Sequence, residues 1–284
     1  MSDVDSPVLK RFLEAFASGL LVSVAFGLAQ TLITGRVTTE ILRQSVSEEV
    51  HNSLASINQR FVPTHDFPAA RQPISAFNAL ISADLDASSI FWFQGISARH
   101  TASRLTRTRA VNLEVHLVLP DLTQPASLDP RLAYAMRHRL DGDVDPDTLR
   151  QNHVQSVKAG LVGLFDARHQ CSSIEVILTP MPALDRVEIF ADSIWITLFS
   201  AVDQGTRYPR TLRFSKESVL YGMHVTECQQ VRESNASRRF DLGRRWTDVD
   251  FMRVLEDMVG EKVDGKELQE LRRSQSRFAG SLPK

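Results

Sequence analysis

Residues 88–121, SSIFWFQGISARHTASRLTRTRAVNLEVHLVLPD, constrain the fold more tightly than any other part of this chain. Residues 90–93 are an apolar and aromatic run too short for helical periodicity, and Gly95 breaks it, so it reads as a buried strand. Residues 97–110 carry Arg99, Arg104, Arg107 and Arg109 among small and apolar side chains, a stretch that suits a helix of about three to four turns. Residues 111–119 then alternate Val111, Leu113, Val115, Leu117 and Leu119 with Asn112, Glu114 and His116, and Pro120 ends the run. Strand, glycine turn, basic helix, strand is a βαβ unit, with parallel strands and a right-handed crossover. The end of its first strand and the start of its helix offer free backbone N–H groups, which places a site there without naming its chemistry.

The rest of the chain sets bounds on that unit. With 284 residues there is room for one large core or two modest domains. A formal net charge of −1 gives no general attraction to nucleic acid, which is therefore not an expected partner. The two cysteines, Cys171 and Cys228, lie far apart with no CxxC spacing, so they read as reduced thiols in a cytoplasmic domain.

Between Glu14 and Arg36 no residue is charged, and the 21 residues from 15 to 35 match the thickness of a bilayer at helical rise. A single transmembrane helix is expected there. Gly19, Ser23 and Gly27, four apart, form a small-residue stripe that suits self-association into a homo-oligomer. The alternatives are an amphipathic or buried helix and a cleaved signal peptide. Lys10 and Arg11 before the segment and Arg36 and Arg43 after it leave the orientation open. Val37, Ile41, Val46, Val50, Leu54, Ile57 and Phe61 keep helical spacing, so the helix continues, ready to pack on a copy of itself or on the domain. Pro63, Pro68 and Pro73 then mark a linker.

After the βαβ unit, Asp129 and Pro130 open a short helix, and Asp147 is read as the cap of an amphipathic helix over 148–167. The aspartates at 141, 143, 145 and 147 invite a calcium reading, but the glycine and distal glutamate of an EF-hand loop are missing. Residues 174–178 are a strand. Residues 187–190 and 193–199 form a hairpin around Asp192, and 211–214 add another strand. Beyond Thr226 the pattern turns helical and strand-free, over 248–259 and 265–278.

The best site candidate is the corner at Ser97, Arg99 and His100, where an anion would meet N–H groups, a hydroxyl and a guanidinium together. The alternative is a helix's first turn facing solvent. Walker A, G-x-G-x-x-G, G-x-S-x-G and H-E-x-x-H patterns are all missing, so no metal or cofactor is implied. Basic clusters at Arg207, Arg210, Arg213 and Lys216 and at Arg238, Arg239, Arg244 and Arg245 suit phosphates or solvated faces. Asp192 orients a partner or simply forms the turn.

The succession IFWFQGISARHTASRL, VNLEVHLVLPD, a helix, SSIEVILTPMP and RVEIFADSIWITLF resembles the degenerate phospholipase D-like domains of bacterial signalling and conflict proteins. The matching features are the glycine corner, the turn at Leu119-Pro120-Asp121 and the D-x-x-hydrophobic turn from Asp192 to Trp195; the resemblance covers about residues 74–222. Active members carry H-x-K-x-x-x-x-D. Here His100 is followed two residues later by Ala102, His116 by Val118 and His153 by Gln155. The resemblance thus implies an inactive fold that keeps an anion-accepting cleft, with Arg99 and His100 at the matching corner.

The expected fold class is α/β: a βαβ-containing mixed sheet flanked by helices, phospholipase D-like, with a long N-terminal membrane or stalk helix and a helical tail. The expected segments are 1–14 flank, 15–35 transmembrane helix, 36–62 connecting helix, 63–73 linker, 74–228 α/β domain and 229–284 helical region. The expected protein is a single-pass inner-membrane protein with a cytoplasmic domain that binds a phosphorylated small molecule or partner protein through Ser97, Arg99, His100 and Asp192, in signalling or phage defence. One alternative is a phosphoesterase or nucleotide-processing enzyme built on the same residues, and another is a soluble α/β interaction scaffold.

Overall fold

The computed structural model describes residues 7–138, 145–182, 184–199 and 208–282. It divides into two units, Met1–Asn58 and Gln59–Lys284. The first consists of most of α1 (Pro7–Phe61), a single helix of 55 residues that ends where Pro63 forces the preceding residue out of helical conformation.

No helix among the described residues is long and apolar enough to cross a membrane. This corrects the transmembrane helix expected over 15–35, and with it the membrane-anchored part of the fold class and the single-pass inner-membrane location. The physical reason lies in the composition of the segment. Lack of charge is not apolarity: Ser18, Gly19, Ser23, Gly27, Gln30 and Thr31 dilute the leucines and valines, and transfer into hydrocarbon depends on the sum.

The second unit begins with β1 (His65–Phe67), inside the stretch read as a linker, and α2 (Ser75–Asp86). The βαβ unit follows as β2 (Ile90–Gln94), α3 (Arg99–Leu105) and β3 (Glu114–Pro120). Next come α4 (Asp129–His138), α5 (Pro146–Ala167) and β4 (Ser173–Thr179). They lead to β5 (Arg186–Ile189), β6 (Ser193–Thr197), β7 (Thr211–Ser215) and α6 (Val219–Glu233). The unit closes with β8 (Arg238–Asp241), α7 (Asp248–Val259) and α8 (Gly265–Ser281).

Among the described residues, the eight strands join one mixed sheet in the order β1-β7-β6-β5-β2-β3-β4-β8. β2, β3 and β4 are mutually parallel and every other pairing is antiparallel. The helix of the βαβ unit is shorter than its sequence suggests. Thr108 Oγ1 and the Arg109 N–H both donate to Asp86 Oδ1 at 2.8 Å, which draws the chain off the helix toward α2. The cap of α5 is Asp145, whose carboxylate accepts from the N–H groups of Asp147 at 3.1 Å and Thr148 at 3.0 Å; Pro146 takes the first helical position. Asp141 and Asp143 lie outside the described residues. In the C-terminal stretch read as strand-free, β8 pairs with β4, and α6 runs across residue 228.

Alternate side chains feed the two faces of the sheet. Phe91, Phe93, Val115, Leu117 and Leu119 join the larger core, which also takes Leu161 and Phe165 of α5, Phe251 of α7 and Leu271 of α8. Trp92, Val118, Ile177 and Val187 form a second core that includes Cys228 of α6. Both faces of the central strands are thus covered, which is why these runs are apolar at nearly every position.

Candidate functional site

The strand register assembles the site. Phe67 of β1 pairs with Thr211 of β7, Thr211 with Thr197 of β6, and Thr197 with Arg186 of β5. Gln94 pairs with Val187, so the row ends at Gly95, just past the C-terminal end of β2. Directly paired residues point to one face. These four side chains therefore floor a cleft of about 1020 Å³. Thr197 Oγ1 lies 3.0 Å from Thr211 Oγ1 and accepts from Arg186 Nη2 at 3.0 Å, so the floor is hydrogen-bonded across three strands.

Three of the four residues picked from sequence line this cleft: Ser97, Arg99 and His100. Ser97 Oγ donates to the Ser156 carbonyl at 3.0 Å, tying the corner to α5. Arg99 turns to α8, where Nη2 donates to the Ser274 carbonyl at 2.7 Å and Nε to Gln275 Oε1 at 3.1 Å; its guanidinium stacks 4.4 Å from the Phe278 ring centroid. His100 meets the same ring edge-on at 4.7 Å.

Asp192 is elsewhere. It sits in the turn between β5 and β6, beside the start of β2, where Ala191 N–H donates to Ser88 Oγ at 3.0 Å. That is the opposite end of the strands from His100, about 15 Å away at ordinary strand rise. Its exposed carboxylate faces Lys216 at 3.6 Å. The enzyme alternative that needed Asp192 and His100 in one pocket loses that convergence.

The residues that sequence reasoning missed are Arg104, Arg186 and Glu188. Arg104 binds the Glu188 carboxylate through both terminal nitrogens, Nη2 at 3.1 Å, and Arg186 Nε lies 3.1 Å from Oε1. Glu188 is 1% exposed. Burial by itself would raise its pKa, but the two guanidinium groups more than offset this and hold it below the usual value. A signal was present in RVEI: two charged residues two apart share one strand face, and a charged face on a strand amid apolar ones needs partners. His100 is pushed down to about 3, first by burial and then by Arg186 and Arg104, with Glu188 opposing, so it is a neutral imidazole at physiological pH.

Arg99, Arg104, Arg107, Arg131 and Arg186 all line the cleft, and Asp86 is the sole carboxylate among its described lining residues. No group of three His, Cys, Asp or Glu among the described residues is placed to hold a metal ion. The thiols are no nucleophiles: burial pushes Cys171 up to about 11 and Cys228 up to about 12. Of the basic clusters, Arg210 pairs with Asp66 and Arg213 with Asp84, while Arg207 lies outside the described residues.

No family model and no curated protein matches the chain. Among solved structures, the chain is similar to TrmBL2, an archaeal chromatin protein whose structure shows a novel mode of DNA binding. The identity is 10% and the TM-score 0.32, over 80% of this chain and 69% of that one. A likeness at that level carries no argument for fold or function, and it does not bear on the phospholipase D-like resemblance.

Chemically, the cleft offers cationic donors from α3 and β5, threonine hydroxyls from β6 and β7, and aromatic faces at both margins. That set suits an anion with an apolar body.

Proposed function

We propose that the α/β unit binds a phosphorylated small molecule in the cleft over the C-terminal end of β2. One observation carries this reading: five arginines line the cleft against a single carboxylate. Two of them share the buried Glu188, and the lining carboxylate, Asp86, is engaged by Thr108 and Arg109. An excess of positive charge between low-dielectric walls draws in anions. Arginine forks match phosphoryl oxygens in particular.

The test is calorimetric titration in phosphate-free buffer with inorganic phosphate, pyrophosphate and ribose 5-phosphate, with ribose as the neutral control. Binding of the phosphorylated probes that weakens with salt and in Arg107→Glu is expected; Arg107 is exposed and the one hydrogen bond it gives up, to the Ala279 carbonyl, is exposed too, so that variant should keep its fold. Failure of every phosphorylated probe to bind overturns the reading.

A second reading concerns α1. Val46, Val50, Leu54 and Ile57, spaced four, four and three apart, are each more than half exposed. That seam is the kind a second copy of the same helix covers in a coiled coil. We propose self-association through it. Light scattering should give an oligomeric mass for the full chain and a monomer for Leu54→Glu; a monomeric wild type sinks the idea.

A further inference from the structure

The lining of the cleft is chemically segregated along the sheet edge. At the β2 and β5 end stand His100, Arg104 and Arg186. At the β7 and β1 end stand Phe67, Tyr208 and, from α2, Phe77 and Asn78. Two strand spacings of about 4.8 Å separate β5, which carries Arg186, from β7, and three separate it from β1, so the two ends lie roughly 10–14 Å apart along the floor.

At the basic end, the donors approach from different elements. Arg104 and His100 come from α3 and Arg186 from β5, with Thr197 from β6 between Arg186 and Thr211. A tetrahedral anion is satisfied by such convergence, whereas a planar carboxylate needs only one fork. His100 makes no side-chain hydrogen bond among the described residues. Its ring therefore keeps both nitrogens available to a ligand. The charged groups that act on it are Arg99 and Arg104 of its own helix and Arg186 and Glu188 of β5; α8 presents it the uncharged Phe278.

At the far end, the wall is aromatic but not purely apolar. Phe77 meets Phe67 edge-on at 5.4 Å and Trp195 edge-on at 5.3 Å, which fixes its ring. Beside it, Asn78 is part-buried, lines the cleft and makes no side-chain hydrogen bond among the described residues. An aliphatic tail has no use for an amide. A heteroaromatic ring does, because a carboxamide presents one donor and one acceptor to its edge.

From this segregation we infer that the cleft takes a nucleotide, with its phosphate on His100, Arg104 and Arg186 and its base against Phe77 and Tyr208, where Asn78 reads the base edge. The inference rests on the anion-binding reading above. It adds the second half of the ligand.

The probes are the four nucleoside 5′-monophosphates, AMP, GMP, CMP and UMP, with ribose 5-phosphate as the base-free reference, titrated into the full chain. At least one nucleotide should bind about tenfold tighter than ribose 5-phosphate, and Asn78→Ala should remove most of that gain while leaving ribose 5-phosphate affinity unchanged. His100→Gln should weaken nucleotides and ribose 5-phosphate alike. If all four nucleotides bind no tighter than ribose 5-phosphate, the nucleotide inference is overturned and the anion-binding reading stands. If ribose 5-phosphate and the nucleotides are all silent, the nucleotide inference falls, and the anion-binding reading falls with it when phosphate and pyrophosphate are silent too. A nucleotide gain that survives in Asn78→Ala overturns the assignment of the base end.

Discussion

Arg104 on α3 clasps the carboxylate of Glu188 on β5 with both terminal nitrogens, and thereby fastens the helix of the βαβ unit to the neighbouring antiparallel strand. Arg186 shares the same carboxylate from two residues away. Replacing Glu188 with glutamine leaves two guanidinium groups side by side with no counter-charge. Breaking a buried pair in this way costs about 3–5 kcal/mol, far more than an exposed pair would. Urea denaturation of Glu188→Gln should show that loss; a change below about 1 kcal/mol would mean that water reaches the cluster. Because the folded carboxyl titrates below its usual 4.5, its contribution is present above that pH and is lost as the pH falls beneath it.

His100 gives a second acid-side signature, set apart by its pH range. The unfolded chain takes up a proton near 6.5, the folded chain only near 3. The unfolded state therefore binds more protons throughout that interval, and stability falls as the pH is lowered from 6.5 toward 3. His100→Gln has nothing to protonate there. The difference in denaturation midpoint between wild type and variant should change across that interval and be flat above it; a flat difference throughout would place a neutralising partner beside the ring.

How much of this was legible in the sequence differs by element. The strands of the βαβ unit were, because both faces of a central strand are buried and the apolar runs say so. Ser97, Arg99 and His100 were, because they sit within one local corner. Arg186 and Glu188 were not: their place beside His100 follows from β5 pairing antiparallel with β2, and sheet order is not written in any local pattern. The same pairing carries Asp192 to the far end, so its proximity to the corner could not be judged without the register. The membrane reading of 15–35 failed on a different point, since the serines, glycines and glutamine that a membrane helix can tolerate singly together outweigh its leucines and valines.

Gly95 has a steric role that a turn signal alone does not reveal. A Cβ at that position would lie 2.9 Å from Phe93 Cζ and 3.4 Å from Arg186 Cγ. The Phe93 ring is 1% exposed and has nowhere to go. Gly95→Ala should therefore destabilise the fold by about 1–3 kcal/mol, as overpacking does, and should also weaken phosphate binding by displacing Arg186. Chemical denaturation together with phosphate titration separates the two effects. Wild-type stability would show that the corner gives way more easily than its packing implies.

The middle and the C-terminal part of α8 are held by different forces, and one substitution should tell them apart. At its middle, Arg272 pairs with Asp166 at 2.9 Å and with Asp248 at 3.0 Å, fixing the helix to α5 and α7. Farther on, Arg99 takes over through Ser274, Gln275 and the Phe278 ring, helped by Arg107, whose Nη2 donates to the Ala279 carbonyl at 3.0 Å. Arg99 has no carboxylate partner among these contacts, and burial lowers its pKa, so neutral acceptors alone compensate its charge. Arg99→Met keeps length and apolar contact but removes those hydrogen bonds, worth about 1.5–3 kcal/mol for a charged donor. Hydrogen exchange should then speed up over residues 274–281 while residues 265–272 and the sheet keep their protection. Uniform loss along α8 would show that the helix docks as one cooperative piece, with Arg99 as one of its fasteners and not the hinge between two halves.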